Sequence, residues 1–266
     1  MKYRVALTIA GSDSGGGAGI QGDLKTFSAH GVYGASVITA ITAQNTLGVS
    51  GIQYISPDMV GAQIDAVMSD LPVHAVKIGM LGNVDIVKVV AEKMRKYKPP
   101  SIVLDTVMLA KSGDALLKKN AVKALITELI PLATLITPNL PEAAEILGEE
   151  ITDPAEATRK LLHLGAKAVL LKGGHGVGDM LYDYLMVRGG QLQEFSNPRI
   201  NTRNTHGTGC TLSSAVAAHL ALDDSLDDAV SESIAWLHQA IKKTYSIGSG
   251  HSPVNHFWQY WRADND

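Results

Sequence analysis

The sequence predicts an α/β protein, with a mostly parallel central sheet and helices on both of its faces. Three observations lead there. Strand-like and helix-like segments alternate along all 266 residues. Val5–Ala10 is a continuous apolar run, as in a strand buried on both faces, and Ser36–Thr42 reads as a second buried strand. Glycines, acids, amides and a lysine gather just after such runs, at the carboxyl ends of the strands where open parallel sheets hold ligands.

Gly11 closes the first strand, and Ile20–His30 follows with helical spacing. After the strand Ser36–Thr42, Val49, Ile52 and Tyr54 mark Gly48–Ile55 as a short edge strand or hairpin arm. Pro57, in the favoured first turn, opens a helix through about Asp70. His74–Ile78 and Ser101–Leu104 are the next strands, separated by a helix over Val84–Tyr97. A helix over Lys118–Ile130, the strand Thr134–Ile136, a helix from Pro141, another over Pro154–Leu164 and the strand Ala168–Leu171 continue the alternation. Arg188-Gly189-Gly190, between Tyr182–Val187 and Gln191–Phe195, is a hairpin signature. Helices over Thr211–Leu222 and Leu226–Tyr245 follow. The tail His251–Trp261, with two of the three tryptophans, is expected to pack back over the core.

Composition narrows the function classes. No composition break, low-complexity run or linker marks a boundary, so residues 1–266 are expected to form one domain. A formal charge of −3 from 26 acids and 23 bases argues against nucleic acid or an anionic membrane as partner. The single cysteine excludes an internal disulfide and fits a reducing compartment. The short apolar run near the N-terminus leads into glycines and is too short to cross a bilayer, so a cytoplasmic protein is expected.

The stretch Asn204-Thr205-His206-Gly207-Thr208-Gly209-Cys210 carries the strongest chemical signal. It reads as a glycine-rich loop feeding the helix from Thr211, where the N–H groups of Gly207, Thr208, Gly209 and Cys210 form a nest for one anion. A thiol at a helix N-terminus tends towards a lowered pKa, so Cys210 is a candidate base or nucleophile. Asn139 and Glu142 lie three apart at a helix start; oxygen ligands of that kind suit Mg²⁺ shared with phosphates, while an ordinary N-cap explains them equally well. Asp105 at a strand end and Lys172 beside Gly173-Gly174 are candidates for a metal and phosphate network. Gly17, Gly19 and Gly22 match the dinucleotide fingerprint, but no acid occurs between Asp23 and Asp58 to hold a ribose. No GK[ST] follows the glycines, which excludes a P-loop. His206 and Cys210 bracket two glycines without a third orienting residue, so a thiol hydrolase is disfavoured.

Taken in order, LTIAGSDSGGGAGIQGDLKTF, ITAQNTLGV, KIGML, LDTVMLAKSGDALL, LITPNLPEA, LLKGGH and NTHGTGCTLSSA resemble the ribokinase-type carbohydrate and vitamin kinases over essentially the full length. The resemblance is closest to the hydroxymethylpyrimidine/phosphomethylpyrimidine kinases of thiamine biosynthesis. It implies a ribokinase-like three-layer α/β/α sandwich and transfer of the γ-phosphoryl of ATP, with Mg²⁺, to a small hydroxymethyl substrate and then to its monophosphate. It implies that Cys210 is the general base and that Gly207, Thr208 and Gly209 form the anion hole. Asn139, Glu142 and Asp105 match the Mg²⁺-associated motif. Asp105, Lys172, Gly173, Asn139 and Thr208 fall on the nucleotide side. Lys111-Ser112-Gly113-Asp114 matches a segment that covers the phosphates, and relatives are commonly homodimers.

For the substrate, the Gln44 amide offers donors and an acceptor to an aminopyrimidine. Pyridoxal-kinase-like relatives tend to have an apolar residue there, and can carry a cysteine where this chain has Ala110. Asp23 is expected as a polar anchor of the pocket, with Gly11, Met80 and Val107 as walls. Pyridoxal kinase is the alternative activity, and a precursor-binding sensor is disfavoured by the intact phosphoryl-transfer motifs.

Overall fold

The computed structural model describes residues 3–108, 119–174 and 178–261. The strands are β1 Val5–Asp13, β2 Tyr33–Gln44, β3 Val49–Tyr54, β4 Val73–Ile78, β5 Ser101–Leu104, β6 Leu135–Ile136, β7 Ala168–Leu171, β8 Met180–Val187 and β9 Leu192–Pro198. They form one sheet in the order β3-β2-β1-β4-β5-β6-β7-β8-β9. The pairs from β2 through β7 are parallel, and β3, β8 and β9 join antiparallel. The carboxyl ends of six parallel strands therefore stand in one row, which is the feature that builds the site.

The helices are α1 Gly19–Ala29, α2 Pro57–Met68, α3 Val84–Tyr97, α4 Lys119–Ala124, α5 Leu140–Leu147, α6 Pro154–Leu162, α7 Thr208–Ala221 and α8 Leu226–Lys242. They cover both faces, giving the expected three layers. On one face Val60 and Ile64 of α2, Ile86 and Val90 of α3, Ile146 of α5 and Leu161 of α6 share one apolar cluster with Leu7, Ile9, Val76, Ile78, Ile136 and Val169 of the sheet. On the other, Phe27 of α1, Leu212 and Val216 of α7 and Ile234 of α8 meet the smaller Ala6, Ala75, Val103 and Ala168. Small residues on both sides of that contact seat α7 close to the sheet, so its first turn reaches the row of strand ends.

Several boundaries differ from the sequence expectation. β1 continues through Gly11 and Ser12 to Asp13 by an irregularity between Ala10 and Ser12, and β2 continues to Gln44. The helix expected over 118–130 passes into a π turn, Leu125–Leu129, and a 3₁₀ turn, Ile130–Leu132, where Pro131 cannot continue an α-helix. α7 begins at Thr208, three residues before the expected start, because Gly207 takes a left-handed φ of 77° and caps it. α6 and α8 stop at Leu162 and Lys242, before the expected Leu164 and Tyr245.

The tail packs back as expected. Val254 joins Trp236 and Ala240 in a small apolar cluster, Tyr260 Oη donates to the Ala29 carbonyl at 3.1 Å, and His206 N–H donates to the Ser252 carbonyl at 3.1 Å. Among the described residues no helix is long and apolar enough to cross a membrane.

Candidate active site

The start of α7 lies across the row of strand ends. A β-carbon on Gly209 would stand 3.3 Å from Lys172 Nζ and 3.8 Å from Asp105 Oδ2. Without a side chain at Gly209, this charged pair comes close to the first turn of α7. Thr208 is engaged, since its Oγ1 and its N–H both reach the Thr205 carbonyl. Among the described residues the N–H groups of Gly209 and Cys210 form no hydrogen bond.

Gly207 is fixed by a close crossing. A β-carbon there would lie 1.9 Å from the Gly17 carbonyl oxygen, and one on Gly17 would lie 2.5 Å from the His206 ring. The glycine-rich loop after β1 and the loop before α7 therefore touch backbone to backbone. Asp13 organises the crossing: its carboxylate accepts the N–H groups of Gly15 at 2.8 Å, Gly17 at 3.1 Å and Ala18 at 2.9 Å, and lies 2.7 Å from His206 Nε2. Burial opposes that charge, but His206 and the backbone donors together hold the Asp13 pKa below its ordinary value.

Cys210 is half-buried and corrects an expectation. A helix N-terminus was expected to lower the thiol pKa. Instead burial pushes it up to about 11, against the pull of Lys77, and Asp23 and Asp105 add to the rise. The Gly19 N–H bonds the sulfur without reversing this.

Asp105 Oδ1 accepts from Lys172 Nζ and from Thr137 Oγ1, both at 3.1 Å, and Oδ2 accepts from Ser213 Oγ at 3.2 Å. Burial works against the Asp105 carboxylate, but Lys172 and Lys77 hold its pKa below the ordinary value. Glu142 is also buried, and burial raises its pKa against the pull of Lys172. Its Oε2 accepts from Asn139 N–H at 2.9 Å and Thr106 Oγ1 at 3.1 Å. Asn139 Oδ1 accepts from Glu142 N–H at 2.9 Å, so the two residues form a capping box at the start of α5. The local capping reading of Asn139 is thus what the structure has. Its amide oxygen holds Glu142 in place.

Two further residues expected at the site have partners within the protein. Asp23, expected as a substrate anchor, is wholly buried. Its carboxylate accepts from Lys77 Nζ at 2.8 and 2.9 Å, Thr8 Oγ1 at 2.6 Å and Ser214 Oγ at 2.7 Å, so it ties α1 to β1, β4 and α7. Gly173, expected on the nucleotide side, donates its N–H to Asp183 Oδ1 at 2.7 Å, and a β-carbon there would meet the Tyr182 carbonyl at 1.8 Å. Gly173 thus packs closely against β8.

The other pocket residues fall on neighbouring strand ends. Met80 Sδ would be 3.0 Å from a β-carbon on Gly11, so these two walls face each other. Val107 sits in the turn after β5, its N–H on the Asp105 carbonyl at 2.9 Å. Gln44 ends β2 and, with Asn45, Thr46, Leu47, Gly48, His206 and His251, lines an open hollow of about 260 Å³. Ala110, the segment Lys111–Asp114 and His175 lie outside the described residues.

Sequence reasoning missed Lys77 and the organising role of Asp13. Lys77 left one trace, a lysine inside the otherwise apolar run Ala75–Ile78. Asp13 left another, an acid between a strand and a glycine run, where Asp commonly caps a turn.

Comparison with known proteins gives a consistent result. The profile of the family described as phosphomethylpyrimidine kinase matches residues 13–255. The hydroxymethylpyrimidine/phosphomethylpyrimidine kinase of Escherichia coli is 51% identical, covering 98% of this chain and 100% of that one. A crystal structure of phosphomethylpyrimidine kinase from Clostridium difficile is 46% identical with a TM-score of 0.80, covering 90% of this chain and 100% of that one. The pyridoxal kinase of Bacillus subtilis, solved as an ADP complex, has a TM-score of 0.91 at 35% identity, covering 98% and 100%.

Proposed function

Because the chain belongs to the phosphomethylpyrimidine kinase family, we propose that the first turn of α7, between Asp105, Lys172 and Cys210, is where its phosphoryl transfer takes place. The reaction is ATP-dependent phosphorylation of 4-amino-5-hydroxymethyl-2-methylpyrimidine, and then of its monophosphate to the diphosphate, in thiamine biosynthesis. The observation that carries the site assignment is the close approach of Lys172 and Asp105 to Gly209 in the first turn of α7. Free backbone donors, an ammonium and the strand-end carboxylate converge there, as a transferring phosphoryl group requires.

In this reading the substrate hydroxyl attacks the γ-phosphorus, the bond to the β,γ-bridging oxygen breaks, and ADP leaves. The N–H groups of Gly207, Gly209 and Cys210 and the dipole of α7 face the charge on the transferring group. Lys172, whose pKa stays raised through Asp105 and Glu142 despite burial, stays charged beside it. Thr208 shapes the turn through Thr205. Cys210, with a thiol pKa near 11, is neutral at pH 7. In that form it orients the alcohol, and the alcohol's proton passes to an oxygen of the transferring phosphoryl group as the new bond forms; only the minor thiolate form could take the proton itself.

The acids fit Mg²⁺. Glu142 Oε1 forms no hydrogen bond among the described residues, and its burial near Asp105 creates a need for positive charge. When bound, Mg²⁺ supplies that charge to the phosphates of ATP. Glu142 and Asp105 would hold it, with Asn139 as the cap that fixes Glu142.

Gln44 would read the aminopyrimidine, against walls formed by Gly11, Met80 and Val107. That assignment favours the pyrimidine over pyridoxal. Residues 1–266 are taken as one kinase domain, working in the cytoplasm as a homodimer on a small molecule, with light scattering as the check on assembly.

The test is incubation with ATP, Mg²⁺ and the hydroxymethylpyrimidine, with products read by mass spectrometry beside pyridoxal. Mono- and diphosphate of the pyrimidine are expected. In the same assay Gly209→Ala should abolish both products while the protein stays folded; full activity in that variant would overturn the site assignment.

A further inference from the structure

The terminal amide of Gln44 sits between two neighbours. Oε1 is placed 3.1 Å from Thr42 Oγ1, and Nε2 3.5 Å from His206 Nε2. The carbonyl and amino ends of an amide have the same shape, so the protons of the neighbours decide which end faces which. His206 Nε2 is 2.7 Å from the Asp13 carboxylate, which already accepts three backbone N–H groups. An ionised carboxylate only accepts, so the proton of that contact sits on His206 Nε2. A nitrogen that carries its proton cannot accept another from Gln44. That N–H is directed to Asp13, so Gln44 is at most a weak second acceptor of it; an amide N–H facing it is repelled, and the carbonyl oxygen is the end that fits there.

The other side gives the same answer. Thr42 has one hydroxyl proton and two acceptors within reach, the Ser12 carbonyl at 2.8 Å and Gln44 at 3.1 Å. The carbonyl can only accept and is the nearer, so it takes the proton. Thr42 Oγ1 then turns lone pairs to Gln44 and calls for an N–H. The imidazole packs against Gly17, where a β-carbon would stand 2.5 Å from its ring.

We propose that Asp13 and His206 are a positioning pair for substrate choice: by keeping a proton on His206 Nε2 they hold the Gln44 carbonyl on the His206 side and its amino group on the Thr42 side. An aminopyrimidine then binds with its exocyclic amine towards His206 and its ring nitrogen towards Thr42. A ring without that amine gains nothing from the fixed amide. The inference rests on Gln44 reading the pyrimidine, and the experiment separates the two.

Steady-state kinetics would compare the hydroxymethylpyrimidine with its analogue lacking the 4-amino group, at saturating ATP. His206→Leu should raise KM for the aminopyrimidine about tenfold, with kcat changed less than about twofold and the analogue unaffected. His206→Gln, which puts an N–H at similar reach, should restore most of the loss. Thr42→Val removes the acceptor at the other end, leaves the Asp13 crossing untouched, and should give the same selective rise even if His206→Leu fails to fold. If Gln44→Met abolishes discrimination between the two rings while the His206 and Thr42 variants keep it, the positioning pair is overturned and Gln44 stands. If Gln44→Met keeps the discrimination too, the reading of Gln44 falls and the inference with it.

Discussion

Lys77 Nζ and Asp23 Oδ1 lie 2.8 Å apart, and neither side chain reaches solvent. Thr8 and Ser214 complete the acceptor shell of Asp23. A buried pair of this kind contributes little over an apolar pair, but breaking it leaves a charge stranded. Asp23→Asn should cost about 3–5 kcal/mol of unfolding free energy in urea. The double variant Asp23→Asn, Lys77→Met should lose much less than the sum of the two single losses. Additive losses would show that the two groups are not coupled.

Gly209 separates stability from activity. It lies within α7 without a left-handed φ, so alanine there gains helix propensity of up to about 1 kcal/mol. The same methyl group would fill the space before Lys172 Nζ. Gly209→Ala should melt at or above the wild-type temperature and lose at least about 100-fold in kcat. Gly207→Ala makes the contrast: left-handed and 1.9 Å from the Gly17 oxygen, it should fail in stability first.

Cys210 is the single cysteine, so alkylation reports on it alone. Iodoacetamide should modify the free enzyme slowly at pH 7, with a rate that climbs to a midpoint near 11. Mass measurement of the adduct against pH checks this. A midpoint near 7 would restore the helix dipole as the dominant influence on the thiol.

His30 and His256 are held neutral, burial pushing each down to about 4 from the usual 6.5. The unfolded chain takes up these protons near pH 6.5 and the folded chain only near 4. Stability is therefore intact above about 6.5 and falls as the pH drops to 4, by up to about 3 kcal/mol for each histidine. His256→Gln keeps a partner for Thr211 Oγ1, which lies 3.0 Å from His256 Nε2. It should remove one share of that slope in urea titrations between pH 7.5 and 4.

The elements of this fold were legible where one local signal dominates. Val5–Ala10 is apolar but for Thr8, Pro57 and Pro154 sit in first turns, and Arg188-Gly189-Gly190 turns a hairpin. The start of α7 was misplaced because Thr208 and Gly209 look like loop residues, and only the left-handed Gly207 before them sets the boundary. Gln44, Met80, Asp105 and Lys172 could be picked out because each follows or ends an apolar run. Asp23 could not be placed, since its three partners come from β1, β4 and α7, the farthest 191 residues away. For Cys210 two effects compete. The helix start is written in the local sequence, whereas the burial that outweighs it comes from distant segments.

The crossing of the two glycine-rich loops also bears on how the enzyme is made. Asp13 emerges early from the ribosome, but its partner His206 follows 193 residues later, and the His206 N–H is held by Ser252 near the tail. Strands β1 to β7 can collect during synthesis, yet the loop after β1 stays without its clamp until almost the whole chain is out. A translating ribosome therefore carries a protein with most of its core and no finished site, and nascent chains stalled before the tail should be folded in large part but inert.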